Sequence, residues 1–177
     1  PKLRTIMDTV GFVDIVAFDA CDMAQADVYY EFVGHASYLV GSEESVPGTG
    51  YPYGTDAQDL VNNPTWDAKR YAIELVTNYG EYYAGQKGLD YATLSAIDMG
   101  QMPALTTAFT AWTSAMSANL ATYKRQYTSA LSSTKTMWAT YFYLDMYDYM
   151  VKLLQGSIPA TLVTATENVK TAINNAV

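Results

Sequence analysis

Helical and strand-like apolar patterns alternate through the first 41 residues, and this alternation constrains the fold more than any other feature of the chain. Apolar residues recur at helical spacing over residues 3–10, and residues 13–18 form an apolar run. A second helical pattern spans residues 23–33, and residues 38–41 form the next apolar run. A strand, a helix and another strand in this order predict a parallel sheet with a right-handed crossover.

Turn-forming residues and helical patterns follow this alternation. Residues 46–54 are dense in Gly, Pro and Tyr and predict a loop. Pro64 begins a predicted helix that extends to about residue 79, and residues 92–97 are a strand candidate. From Pro103 onward, apolar residues keep a spacing of three to four as far as residue 131, which predicts one long helix.

Two further helices are predicted after this long one, around residues 144–154 and after Pro159. The whole pattern predicts an α/β fold with a mostly parallel sheet and an appended helical segment. Residues 1–102 are assigned to the sheet core. Residues 103–177 are assigned to the helical segment, which belongs either to the same domain or to a small helical subdomain.

Composition excludes several classes of function. The formal net charge of −8 argues against a nucleic-acid partner, because phosphate binding requires a basic face. A single cysteine excludes an internal disulfide and zinc sites of four cysteines or of two cysteines and two histidines. Since no apolar run reaches the roughly 18 residues that a membrane helix needs, we expect no membrane insertion.

The lone cysteine, Cys21, directly follows the strand-like run at residues 13–18, and Asp19 precedes it by two positions. A thiol between a strand and a helix would lie near the helix N-terminus, whose dipole lowers a thiol pKa and favours the nucleophilic thiolate. The alternative is that Cys21 is a small buried apolar residue, as free cysteines often are.

Several segments around Cys21 carry a family resemblance: F-D-A-C-D-M at 18–23, A-D-V-Y-Y-E at 26–31, Y-L-V-G-S-E-E at 38–44 and P-G-T-G-Y-P-Y at 47–53. Together with T-L-S-A-I-D at 93–98 and L-D-M-Y-D-Y at 144–149, they are similar to the clostripain family of cysteine peptidases. The resemblance covers most of residues 1–155. It implies a caspase-like three-layer fold in which this chain is the cysteine-bearing, heavy part.

The resemblance also implies roles for individual residues. Cys21 would be the nucleophile, with its backbone amide helping to hold the oxyanion. Asp19 would lie at the base of the pocket for the residue preceding the cut, where a buried carboxylate prefers Arg or Lys. The remaining candidate substrate-binding residues are Ser42, Glu43, Glu44 and Tyr51, the last at a position where the family more often has Trp.

A peptidase of this type needs a histidine, and His35 is interpreted as a surface residue at a helix end. The resemblance implies that a light chain, cut from the same precursor, supplies the catalytic histidine. It further implies a secreted, cell-surface or periplasmic bacterial protein acting on peptides or proteins that contain Arg or Lys.

The resemblance also implies that calcium can be a cofactor, because some members of the family depend on it, and Asp56, Asp59, Glu43 and Glu44 offer oxygen ligands. The sequence has no EF-hand loop, so it does not assign the ion to a place. Two other functions stay open at this stage. One is a catalytically silent, peptidase-like binding module. The other is a flavodoxin-type binding domain that shares only the alternation of strands and helices.

Overall fold

The computed structural model describes residues 2–137 and 143–177, which form two compact units: one extends to Gly100 and includes Val177, and the other comprises Gln101–Ala176. The elements of the first unit are α1 (Lys2–Val10), β1 (Val13–Ala17), α2 (Ala26–Tyr30), β2 (Ala36–Gly41), α3 (Tyr53–Asn62), α4 (Ala68–Tyr83) and β3 (Ser95–Asp98). A 3-10 turn, Met99–Gln101, leads to α5 (Met102–Ser133), α6 (Met146–Gln155) and α7 (Ala160–Ala176).

The sheet of the first unit has the strand order β1-β2-β3. β1 and β2 are parallel, as predicted, with Ala17 opposite Val40. β3 runs antiparallel to β2 and places Ser95 opposite Gly41. The sheet of the described residues is therefore mixed rather than mostly parallel, because an apolar run predicts a strand but carries no information on its direction.

The core of the first unit lies between the sheet and α4. In the central strand, Leu39 and Val40 are completely buried. Helix α4 contributes Ala72, Leu75 and Tyr79 to the apolar cluster that includes Val40. These three helical residues are spaced by three and four positions, so they lie on one face. The packing fixes α4 across the sheet.

Three helices of the first unit differ from the prediction. Helix α4 begins at Ala68 rather than at Pro64, because the Asp67 carboxylate caps it by accepting a hydrogen bond from the Arg70 amide at 2.7 Å. Helix α2 has five residues instead of the predicted eleven between 23 and 33. Helix α3 was not predicted, because its opening residues look like the continuation of a turn.

The second unit contains α5, α6 and α7, and α5 confirms the long predicted helix. Its core includes Leu153, Leu162 and Val169, all completely buried. Trp112 Nε1 donates a hydrogen bond to Thr166 Oγ1 at 3.2 Å inside this core. None of the helices in the described parts of the chain is long and apolar enough to cross a membrane.

Candidate active site

Cys21 lies in a turn that follows the carboxyl end of β1 and is held at both ends. Before the turn, the Phe18 amide donates to the Val40 carbonyl at 2.8 Å and extends the pairing of β1 with β2. After it, the Ala24 amide donates to the Ser42 carbonyl at 2.9 Å. The hydrogen bonds of the two neighbouring strand ends thus present Cys21 at the edge of the sheet.

The thiol of Cys21 is exposed, so this residue is not the buried apolar group of the alternative interpretation. Its sulfur accepts a hydrogen bond from the Val46 amide, with a distance of 3.3 Å between Sγ and nitrogen. The predicted contact with a helix N-terminus is wrong, because α2 begins only at Ala26 and is too short to supply a substantial dipole. The amide of Val46, a loop residue, contacts the thiol where a helix N-terminus was predicted.

Asp22 adopts a left-handed backbone conformation immediately after the thiol, with φ of 57°. Its amide donates to the Glu44 carbonyl at 3.2 Å, which holds this conformation in place. Asp and Asn tolerate such angles better than most residues. The chain therefore turns sharply at the residue next to the exposed Cys21.

Asp19 makes two close contacts. Its Oδ2 accepts a hydrogen bond from the hydroxyl of Tyr53 at 2.5 Å. Gly50, at φ of 66°, approaches the same carboxylate so closely that a Cβ on it would lie 2.3 Å from Oδ2. The hydrogen bond to Asp19 raises the pKa of Tyr53, which keeps the phenol a donor. Asp19 is exposed in this chain, in contrast to the buried carboxylate that the sequence led us to expect.

A cluster of tyrosines supports the loop that contains Gly50. The Tyr83 hydroxyl donates to the Gly50 carbonyl at 2.6 Å, and the Tyr51 hydroxyl donates to the Phe18 carbonyl at 3.2 Å. Tyr79 packs between these two rings, with centroid distances of 5.6 Å to Tyr51 and 4.7 Å to Tyr83. Burial raises the pKa of Tyr51 and of Tyr79 above the usual range, so both stay neutral.

The other sequence-predicted binding residues differ in accessibility. Glu43 is exposed, whereas Ser42 and Glu44 are buried. The Ser42 hydroxyl is within 3.1 Å of Thr93 Oγ1 and accepts a hydrogen bond from the Glu44 amide at 3.0 Å. In this arrangement Ser42 stabilises the loop after β2, and Tyr51 supports the end of β1 rather than facing solvent.

His35 lies at the opposite end of the parallel strands from Cys21. Its carbonyl accepts a hydrogen bond from the amide of Val13, the first residue of β1. Its Nε2 is 3.3 Å from a carboxylate oxygen of Asp8. His35 is therefore not in position to act on the thiol.

The suggested calcium ligands separate into two places. Asn78 Nδ2 donates to Asp56 Oδ1 at 3.0 Å and to Asp59 Oδ2 at 2.8 Å, whereas Glu43 and Glu44 belong to the loop after β2. Among the described residues, no group of three or more His, Cys, Asp or Glu is placed to hold a metal.

Sequence reasoning missed two contacts of the site, those of the Val46 amide with Cys21 and of the Tyr53 hydroxyl with Asp19. Both residues belong to the predicted loop 46–54, but neither the Val46 amide nor the Tyr53 hydroxyl was assigned a role. The signal for Tyr53 was present in the P-G-T-G-Y-P-Y motif at 47–53. That motif places a phenol three residues after Gly50.

Comparisons with known proteins identify the family of this chain and structures of similar fold. The sequence matches the clostripain family, peptidase C11, over residues 1–176. An inactive zymogen C11 protease from Parabacteroides distasonis is similar in fold, with a TM-score of 0.70 and 22% identity over 99% of this chain and 45% of that chain. A secreted C11 cysteine protease from Bacteroides thetaiotaomicron, in complex with an irreversible peptide inhibitor, is also similar in fold. Its TM-score is 0.69, and its sequence identity is 22% over 99% of this chain and 46% of that chain.

A clostripain from Bacteroides thetaiotaomicron ATCC 29148, in complex with the peptide inhibitor BTN-VLTK-AOMK, has a TM-score of 0.66 and 18% identity over 99% of this chain and 70% of that chain. No protein of curated function matches the sequence. The chain spans less than half the length of the zymogen and of the secreted protease. Because the family match extends over nearly every residue, this chain belongs to the clostripain family.

Proposed function

We propose that this chain is the cysteine-bearing part of an endopeptidase that cleaves peptide bonds after Arg or Lys. One observation carries the proposal: an exposed thiol, Cys21, and an exposed carboxylate, Asp19, lie two residues apart in the loop after β1. The first is a nucleophile, and the second is a binding group for a cation. Membership of the clostripain family supports both assignments.

The reaction proceeds by nucleophilic catalysis. The Cys21 thiolate attacks the carbonyl carbon of the scissile bond, and the backbone amide of Cys21 stabilises the resulting oxyanion. The carbon–nitrogen bond then breaks, a histidine gives its proton to the leaving amine, and a thioester remains on Cys21. Water hydrolyses the thioester, which releases the new carboxyl terminus and restores the thiol. Val46 holds the sulfur through its amide in the resting state.

The catalytic histidine is assigned to another segment of the precursor, the light chain, and the complete fold is proposed to be caspase-like with three layers. Two observations support this assignment. Within the described residues, β1 is an edge strand, so its outer side has unpaired backbone groups available to a further strand. His35, the one histidine of this chain, lies at the far end of β1.

Processing and export are proposed from the relatives. One similar structure is described as an inactive zymogen and another as a secreted protease, which supports a secreted bacterial precursor that is activated by cleavage. The inhibitor BTN-VLTK-AOMK bound to a third relative has a peptide part that ends in lysine. This ending is consistent with a carboxylate such as Asp19 at the specificity pocket.

The test of this proposal uses the complete enzyme and a matched series of peptides with Arg, Lys, Leu or Gln before the cut. Replacing Cys21 by Ala should abolish cleavage of all of them, because the nucleophile is lost. Asp19→Asn should lower kcat/KM for the Arg and Lys peptides about tenfold or more and leave the neutral peptides nearly unchanged. Asp14→Asn is the matched control, since it removes an exposed negative charge from β1 itself.

Undiminished cleavage by the Cys21→Ala variant would refute the assignment of the nucleophile. If the unmodified enzyme binds basic peptides but cleaves none of the series, the protein is instead the catalytically silent binding module. Equal losses in the Asp19→Asn and Asp14→Asn variants would show that general acidity, and not a pocket, attracts the substrate.

A further inference from the structure

The two oxygens of the Asp19 carboxylate are not equivalent. Oδ2 accepts the hydrogen bond from the Tyr53 hydroxyl at 2.5 Å, whereas Oδ1 accepts none from the residues that the structure describes. Gly50 closes one side of the group, because a Cβ there would be 2.3 Å from Oδ2 and 3.0 Å from Oδ1. One lone pair of Oδ2 is therefore already engaged, whereas Oδ1 keeps both of its lone pairs on the side away from Gly50.

Tyr53 is well placed to keep this hydrogen bond while its ring stays at the surface. It is the first residue of α3, so its backbone is fixed by the helix. Its ring is tilted against that of Tyr51, with 6.1 Å between the centroids, and Tyr51 is in turn anchored to the Phe18 carbonyl. Tyr53 is 59% exposed, and Asp19 is exposed as well, so a ligand can reach the pair from solvent.

Arginine and lysine place different demands on a carboxylate. A guanidinium group reaches its strongest pairing when two parallel N–H groups donate to both carboxylate oxygens. An ammonium group is a compact point charge that needs only one oxygen. We propose, on the basis of the proposed function, that Tyr53 is a specificity-determining residue, which engages a lone pair of Asp19 Oδ2, weakens bidentate pairing with guanidinium and so favours Lys over Arg in the residue before the cut.

The experiment compares two peptides that differ only in Lys or Arg before the cut, with the unmodified complete enzyme and its Tyr53→Phe variant. Removal of the hydroxyl frees Oδ2 for a second guanidinium hydrogen bond. The ratio of kcat/KM for Lys to kcat/KM for Arg should therefore fall about threefold to tenfold, a range reduced from that of a buried charged hydrogen bond because the site is exposed. A general loss of structure would lower both values together and leave their ratio unchanged.

The control is Tyr30→Phe, which removes the hydroxyl of an exposed tyrosine on α2, whose ring lies under the Arg4 guanidinium. This variant should keep the ratio of the unmodified enzyme. Melting temperatures of both variants within about 2 °C of the unmodified enzyme would establish that the fold is retained.

The possible outcomes separate this inference from the function on which it rests. An unmodified enzyme that cleaves only after neutral residues overturns the proposed function itself. An enzyme that cleaves after basic residues, with a ratio that Tyr53→Phe leaves unchanged, overturns only the role of Tyr53. A ratio that rises in the variant also overturns it, because the phenol oxygen would then be an acceptor for arginine.

Discussion

The Cα of Gly50 lies so close to the carboxylate of Asp19 that only glycine fits at position 50. A Cβ at this position would lie 2.3 Å from Asp19 Oδ2, and the backbone has φ of 66°. Gly50→Ala should therefore destabilise the fold by about 1–3 kcal/mol and displace Asp19. Denaturant unfolding measures the first effect, and kcat/KM for basic peptides measures the second.

Gly48 provides the matched control in the same loop. A Cβ on Gly48 would meet nothing within 4 Å, and its φ is not in the left-handed region. Gly48→Ala should change the free energy of unfolding by less than about 0.5 kcal/mol. Similar losses in the two variants would contradict the role of the contact between Gly50 and Asp19.

The turn next to Cys21 makes a second prediction, at Asp22. A β-branched residue is strongly disfavoured at φ of 57°, whereas Asn tolerates this angle. Asp22→Val should lower stability by about 1–2 kcal/mol, and Asp22→Asn by much less. Thermal unfolding of both variants checks this order, which would be reversed if the charge of Asp22 mattered more than its backbone angle.

The hydroxyl of Tyr83 supports the loop 46–54 through the Gly50 carbonyl, at 2.6 Å. Tyr83→Phe leaves this buried carbonyl without its donor and should cost about 1–3 kcal/mol of stability. Tyr82→Phe is the control, because the neighbouring Tyr82 is 47% exposed. Chemical denaturation should distinguish the two variants clearly; equal midpoints would show that the hydroxyl of Tyr83 contributes nothing.

The pH dependence of stability should have a contribution from Asp56. Burial raises the pKa of this carboxyl and nearby Asp59 raises it further, while the hydrogen bond from Asn78 lowers it in part. A carboxyl with a raised pKa in the folded state binds its proton more tightly there than in the unfolded chain. Its stabilising contribution is therefore present below the ordinary carboxyl range and is lost as the pH rises through the raised pKa.

Asp56→Asn keeps an acceptor for Asn78 but removes this titration. The free energy of unfolding should consequently decrease less between pH 4 and pH 7 than in the unmodified protein. Denaturant titrations at several pH values, with Asp14→Asn as an exposed control, measure the difference. If the free energy of unfolding changes with pH in the same way in the variant and in the unmodified protein, water already solvates the Asp56 carboxylate in the folded protein.

Sequence patterns predicted the parts of this structure that depend on periodic apolar residues. The strand before Cys21, its parallel neighbour and the long helix α5 each have a regular spacing, and all three were confirmed. Asp145 caps α6, since it accepts a hydrogen bond from the Asp148 amide at 2.9 Å. The spacing and type of neighbouring residues were sufficient to predict these elements.

Features that depend on distant segments were not predictable in the same way. The direction of β3 is set by where α4 returns the chain, and no residue between 95 and 98 encodes it. The contact of Tyr53 with Asp19 joins residues 34 positions apart in the sequence. The accessibility of Ser42 likewise depends on Thr93, which approaches it only after the chain has folded.

The antiparallel pairing of β3 has an architectural consequence. Because Ser95 lies opposite Gly41, the connection from α4 to β3 arrives at the same end of the sheet as Cys21, and the hydrogen bond between Thr93 and Ser42 holds it there. Insertions or deletions in residues 84–94 would thus change the surroundings of Ser42 while every strand stays in register. The length of this connection can therefore vary without disturbing the pairing that positions Cys21.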